Sequence, residues 1–432
     1  MNSRERLLTA LRHQEPDRVP IDLDGMASTG IMAVAYNRLK AHLGMTGGET
    51  KVYDIGQQLA HPEPPVLEHF GIDVLPLTRA PMGFDPAHPA WKSWTLPDGS
   101  PALVPSGFHP LQNERGDWLI LDEAGRIIQR MPAGGLYFDR VHHPLAEAAT
   151  VAEIEACELP SISDDELVWL RREARRLYET TDKAIMGHFG GSILEAAQRL
   201  RGWERFMMDL AREPKLAQAL TQKLADHTVA NMPRYLDAVG DYIQIIQMGD
   251  DLGTQRGPQM SPDMYRRIIK PCHRQVYECV RAHCKGAGKP RPYIFLHSCG
   301  SITRLIPDLI EIGVDILNPV QISAAEMDPA RLKGEFGRDI VFWGGGADTQ
   351  HVLPYATPQE VRQHVRGLLE IFAPGGGYVF CQVHNIQANV PPENVVAMLE
   401  TALEFGRYSW LHGLTKRRFG AKISAVDFVN LP

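Results

Sequence analysis

His297 and Cys299 stand two residues apart in Leu296-His297-Ser298-Cys299-Gly300, at the end of an apolar run. On a β-strand, residues two apart project from the same side, so the imidazole and the thiol can reach one point. Nitrogen and thiolate sulfur together suit Zn²⁺ at ~2.0–2.3 Å, and a catalytic zinc usually has three protein ligands with one position open. H-x-C is weakly specific by itself and needs a third donor from another element. Cys381 and His384 stand near the end of a later apolar run. Three residues apart, they cannot share a face of a regular strand, and only a bulge would bring both in. His384 lies nearer the strand's C-terminal end and is the preferred third ligand. Cys381 is the alternative, or else a small buried core residue.

Other polar residues close apolar runs in the same way. Asp250 and Asp251 follow Gly249 and, with His384, are candidate catalytic groups, although an Asp there equally caps a helix. Asp22 and Asp24 alternate along Arg18-Val-Pro-Ile-Asp-Leu-Asp24, which reads as a strand with both carboxylates on one face. Buried carboxylates are costly unless paired, so at least one needs a partner or a task. Asp22, Asp24, His188, Asn318, Gln321 and Asp348 are the candidate substrate-binding residues. Each alone is a strand end running into a polar loop. Gathered at one face, they indicate an enzyme. Cys157, Cys272, Cys279 and Cys284 read as structural.

The elements that would position these residues follow a simple rhythm. After about Ala149, strands expected at Ala184–His188, Tyr242–Gly249, Tyr293–Cys299, Asp315–Val320, Ile340–Gly345 and Tyr378–His384 alternate with helical patterns. Ile302, Leu305, Ile306, Leu309 and Ile310 form the clearest helix, with Gly313 as its stop. Apolar strands joined by helices make a parallel sheet buried on both faces. Neither GxGxxG after the first strand nor GxxxxGK[ST] occurs, so a nucleotide-binding sheet lacks support. The expected fold is α/β, a (β/α)8 TIM barrel with its site at the strands' C-terminal ends. A first helix is expected over Ser3–His13, started by Asn2 and Glu5. Residues 82–144 read as a β-hairpin-rich insertion in the N-terminal third, with turns at Pro97-Asp98-Gly99 and Glu123-Ala124-Gly125-Arg126. Its Trp and Tyr residues either wall an aromatic pocket or cap the barrel. The whole of 1–432 reads as one domain.

Composition excludes several classes. The 432 residues carry 45 basic and 52 acidic side chains, a formal charge of −7, which argues against nucleic acid as the partner. No apolar run approaches the ~18 residues of a membrane span. The charged N-terminus lacks a secretory signal, so a cytoplasmic protein is expected. Six cysteines in a chain of this length do not make a disulfide framework.

In order along the chain, SRERLLTALRHQEPDRVPID, HFGGS, GDDLGTQRGPQMSP, FLHSCGSI, GVDILNPVQ, GGGADTQ and VHNIQANVPPENVVAM resemble the uroporphyrinogen decarboxylase superfamily. The resemblance implies a single-domain (β/α)8 barrel and one of two activities. One branch decarboxylates a tetrapyrrole without a cofactor, using arginines just after the first Arg-Val-Pro. Here Arg18-Val19-Pro20 is followed by Ile-Asp-Leu-Asp-Gly-Met, without an arginine. The other branch comprises zinc-dependent methyltransferases that exchange methyl groups with a corrinoid protein, and its H-x-C-G strand end matches His297 and Cys299. Alignment on Pro-Pro-Glu-Asn puts His384 where that branch often has a cysteine and the decarboxylases a histidine. The implied activity is therefore methyl transfer between a corrinoid (cobalamin), carried on a partner protein, and a methoxylated aromatic, methylated amine or thiol. O-demethylation is slightly preferred. A cofactor-free decarboxylase of another acid is the alternative, and self-association into a homodimer is left open.

Overall fold

The computed structural model describes residues 1–409 and 411; the rest of the single domain expected over 1–432 lies outside the described residues. The first helix, Ser3–Leu11, begins with a reciprocal capping box between Asn2 and Glu5, as the sequence implies. Seven parallel strands follow one another in chain order around a curled sheet: β1 Val74–Leu77, β2 Ala184–Gly190, β3 Ile245–Gly249, β4 Tyr293–His297, β5 Ile316–Asn318, β6 Val341–Trp343 and β7 Tyr378–Val379. This is the TIM-barrel architecture. All six expected strands are present, most of them shorter, because the polar residues at their ends turn away from the ladder. β1 was not anticipated: its four residues include Pro76, which has no N–H to donate and obscures the strand pattern.

The eighth position is filled by a few residues. Asp22 N–H donates to the Phe380 carbonyl at 2.9 Å, Phe380 N–H to Pro20 at 2.9 Å, and Asp73 N–H to Ile21 at 2.9 Å. Pro20–Asp22 thereby bridges the two edges of the sheet. The strand expected over Arg18–Asp24 is reduced to this contact, and the chain turns at Asp24 with φ +79°. Asp22 and Asp24 consequently do not share one strand face.

Inward side chains of the strands, among them Met186, Ile245, Phe295, Trp343 and Cys381, pack in one cluster with Leu7 and Leu11 of the first helix. The expected helix around Ile302–Ile310 divides into a 3₁₀ turn, Thr303–Leu305, and a helix, Ile306–Ile312. Gly313 ends it at φ +89°, a left-handed conformation that favours glycine. Between β1 and β2, Trp91–Thr95 pairs antiparallel with Pro101–Pro105. Leu111–Gln112, Trp118–Leu121, Ile127–Met131 and Asp139–Arg140 form a second small sheet. Gly99 at φ +82° and Gly125 at φ +75° lie in the expected turns. Among the described residues, no helix is long and apolar enough to cross a membrane.

The closing segment is anchored by Asp73. Its fully buried carboxylate bonds Arg6 Nη1 at 2.7 Å, Arg18 Nη1 at 2.7 Å and the Ile21 N–H at 2.9 Å. Asp73→Ala would leave two largely buried guanidinium groups without this partner, a change worth about 3–5 kcal/mol. A lowered urea midpoint of that size is the expected result, whereas Glu5→Ala, at an exposed cap, should cost about 1 kcal/mol or less.

Candidate metal centre at the strand ends

Parallel pairing sets Gly249, His297 and Asn318 side by side across β3, β4 and β5. Just past them, Cys299 returns to the side of His297. His384 comes from beyond β7, where the chain has left the regular strand, so strand alternation no longer governs where it points. The ligand atoms of His297, Cys299 and His384 lie within 4.8 Å of one another. Cys299 Sγ is 3.4 Å from His297 Nε2, and the two imidazole centroids are 6.1 Å apart.

The hydrogen bonds assign the tautomers. Asn318 Nδ2 donates to the Trp343 carbonyl at 2.9 Å, which turns Asn318 Oδ1 toward His297 Nδ1 at 2.6 Å. Ser28 Oγ lies 3.1 Å from the same nitrogen and donates to Asn318 Oδ1 at 3.0 Å. An amide oxygen only accepts, so His297 carries its proton on Nδ1 and presents a lone pair at Nε2. His384 repeats this arrangement, with Nδ1 3.0 Å from Asn385 Oδ1. Asn385 Nδ2 is held in turn by Gln57 at 2.8 Å. Both histidines thus face the cluster with the nitrogen able to bind a cation.

Carboxylates surround the thiol. Asp251 Oδ1 accepts from the Cys299 N–H at 2.8 Å and lies 3.5 Å from His297 Nε2. Burial, followed by the charges of Asp251 and Glu195, pushes the Cys299 thiol well up. Burial and the neighbouring His297 push the His384 imidazole down, toward its neutral form. Glu195, in the first turn of helix Leu194–Arg201, is raised to about 7 by burial and by Asp251. Two imidazoles held at Nδ1, a thiol and adjacent carboxylates form a donor set that suits a divalent soft or borderline cation.

Other sequence candidates have different places. Asp250 accepts from the Ile193, Leu194 and Glu195 N–H groups at 3.0, 2.7 and 2.7 Å and meets His273 Nε2 at 2.9 Å. It is buried at the start of helix Leu194–Arg201, while Asp251, the other candidate, lies beside the cluster. Cys381 is buried among the inward barrel side chains, 4.0 Å from Asn318 Nδ2, and outside the donor cluster. It shares the barrel interior, contrary to the expectation that it faces away. Asn318 orients His297, and Gln321 Oε1 accepts from the Gly300 N–H at 2.7 Å. His188 Nε2 bonds the Gly25 carbonyl at 2.7 Å, and burial lowers its pKa to about 4. Asp24 bonds Tyr53 and His61. Asp348 accepts from the Gln350 and His351 N–H groups of its own turn, at 2.7 and 3.1 Å. Ser28, Glu195 and Asn385 were missed. The Asn beside His384 in VHNIQ was the one local signal available.

Residues 135–405, well over half of the chain, match the family described as uroporphyrinogen decarboxylase (URO-D). A uroporphyrinogen decarboxylase of Vibrio campbellii is 41% identical over 300 residues, covering 67% of this chain and 78% of that protein. One from Alkalilimnicola ehrlichii is 25% identical over 293 residues, covering 65% and 72%. One from Chlorobaculum tepidum matches over 205 residues at 25% identity, so this chain spans about half its length (52%). Among solved structures, a methyltransferase from Methanosarcina mazei shares the fold at a TM-score of 0.58 and 15% identity, covering 94% of this chain and 99% of that one.

Asp22 supplies a pH test of the barrel interior. It accepts from Trp343 Nε1 at 2.8 Å and the Gly25 N–H at 2.6 Å, and burial raises its pKa from 3.8 to about 7. The folded state therefore binds the proton more tightly than the unfolded chain, so this group's contribution to stability falls as pH rises between those values. Urea melts at about pH 4.5 and about pH 7.5 should show a smaller decline for Asp22→Asn than for the parent. An equal decline in both proteins would remove Asp22 as a source.

Proposed function

The chain belongs to the uroporphyrinogen decarboxylase family, and within it we propose a zinc-dependent methyltransferase that moves a methyl group between a small substrate and a corrinoid. The carrying observation is the convergence of His297, Cys299 and His384, with both histidines hydrogen-bonded at Nδ1 to an Asn side chain. These three residues would hold the zinc, whose chemistry there is Lewis acidity toward the heteroatom that carries or receives the methyl group. Asn318 and Asn385 fix the tautomers, and Asp251 anchors the backbone at Cys299. Glu195, with a pKa near neutrality, can hold or release a proton at its carboxyl beside the cluster. The corrinoid is carried by a partner protein. A methoxylated aromatic is preferred over a methylated amine or thiol, a preference supported by Tyr137 of the insertion, whose hydroxyl donates to Gln387 at 2.6 Å, with Gln387 in turn bonded to Asn385 beside His384.

The second reading is a cofactor-free decarboxylase. It is favoured by the names of the sequence relatives and by Asp22, a buried carboxyl able to retain a proton near neutral pH. The segment after Pro20 offers no arginine to a polycarboxylate, which weighs against a tetrapyrrole substrate.

The ligand set is tested by metal analysis of the purified protein and its variants. About one zinc per chain is expected, with Cys299→Ser and His384→Ala losing most of it while retaining the parent's circular dichroism. Cys381→Ala should keep its metal. Full occupancy in both His297→Ala and Cys299→Ser would remove the assignment.

Turnover tests the reaction. Reduced cobalamin mixed with methoxylated aromatics, methylated amines or methyl thioethers, and methylcobalamin mixed with thiols, should report methyl transfer spectroscopically. Stripping zinc should slow it by at least about a hundredfold, since Lewis-acid stabilisation is worth several kcal/mol and each ~1.4 kcal/mol is tenfold in rate. Decarboxylation of a tetrapyrrole by metal-free protein, with no corrinoid chemistry in any mixture, would establish the second reading instead.

A further inference from the structure

A separate cavity of about 470 Å³ lies between β1, the helix Asp164–Thr180 and the start of the insertion. That size suits a small organic molecule. Its walls are largely apolar. Phe84 packs against both Trp91 and Trp169, with ring centroids 5.7 and 5.5 Å apart. His61, Asp24 and Tyr53 also line it, and none of the lining residues belongs to the His297, Cys299 and His384 cluster.

Lys51, Glu173 and Arg176 line the cavity as well, with Arg176 donating to Glu173 at 2.8 Å, and one further polar group, His61, is held in a fixed orientation. The His61 ring lies flat on Tyr53, with centroids 3.8 Å apart and planes inclined by 5°. Its Nδ1 is 2.7 Å from Asp24 Oδ2, and the Tyr53 hydroxyl donates to Asp24 Oδ1 at 2.8 Å. With Asp24 accepting from both, the proton of neutral His61 resides on Nδ1. Nε2 is left as an acceptor, and among the described residues no group hydrogen-bonds it. The side chain is 32% exposed while Asp24 is 3% exposed. One face is covered by Tyr53 and one edge by Asp24, so the exposure falls to the far edge and the open face.

An oriented acceptor among aromatic walls calls for a flat apolar ligand with one hydrogen-bond donor. We propose that this cavity binds a hydroxylated aromatic compound, its ring against Phe84, Trp91 and Trp169 and its hydroxyl donating to Nε2 of His61. The site goes beyond the methyl-transfer reading and stands whether or not zinc binds at the strand ends.

Calorimetric titration of the full-length protein with 2-naphthol, 2-methoxynaphthalene and 2-naphthoate tests it. 2-Naphthol should bind with one-to-one stoichiometry and about tenfold more tightly than its methyl ether, which has the ring without the donor. 2-Naphthoate, which offers no donor, should bind more weakly than 2-naphthol. His61→Asn keeps an N–H for Asp24 but has no distal ring nitrogen, and should reduce the naphthol preference to within about twofold. Trp91→Ala, on the other wall, should weaken naphthol and ether alike, and this variant decides the matter if His61→Asn does not fold. Cys299→Ser should leave the binding constants unchanged even where it removes metal. Equal binding of naphthol and ether by the parent would overturn the proposal. So would tighter binding of naphthoate, a preference that survives His61→Asn, unchanged affinity in Trp91→Ala, or binding lost in Cys299→Ser.

Discussion

A parallel barrel closes only when both edges of its sheet find partners, and here a few residues meet that demand. Pro20–Asp22 bonds Phe380 on one side and Asp73 on the other, and has no length left to continue as a strand. The chain must turn at once, and in doing so it brings three groups to three histidines. The Asp24 carboxylate reaches His61, the Gly25 carbonyl reaches His188, and the Ser28 hydroxyl reaches His297. The closure that completes the core thus also fixes the polar geometry above it. The ion pairs that Asp73 makes with Arg6 and Arg18 carry this arrangement back to the first helix.

The acceptors chosen for these histidines differ in charge. His297 and His384 are held by carboxamide oxygens, which fix a tautomer and add no charge. Negative charge near the cluster comes instead from Asp251 and Glu195, close to the thiol. His61 is held by a carboxylate and lies in a largely apolar recess. One side-chain type is thereby held in two settings: beside a thiol and a second imidazole at the strand ends, and in a largely apolar recess.

Much of this was legible in the sequence because it depends on periodicity. Strands β2 to β7 announce themselves by apolar runs, and H-x-C places two donors on one side through the twofold repeat of a strand. Long-range closure was not legible. Nothing local in Arg18–Asp24 says that its strand stops at Asp22, or that Asp24 adopts a left-handed conformation. Asp250 and Asp251 look equivalent in sequence, and only the distant start of helix Leu194–Arg201 makes one a cap. Cys381 and His384 were separated by an alternation that had ended at β7, and the preference for His384 rested on its nearness to the strand's C-terminal end. The orienting residues Ser28 and Asn385 lie on loops and belong to no periodic pattern.

The two recesses draw on different stretches of chain. His297, Cys299 and His384 belong to the C-terminal half, on strand ends whose register is shared across the sheet. Phe84 and Trp91 belong to the excursion between β1 and β2, whose small sheets pair within themselves apart from a bridge between Leu103 and Lys51. Lengthening or shortening that excursion reshapes one recess without moving a residue of the other out of register. A fold arranged in this way can trade one cavity wall for another by exchanging a single cassette of chain, while the donor cluster at the strand ends is inherited intact.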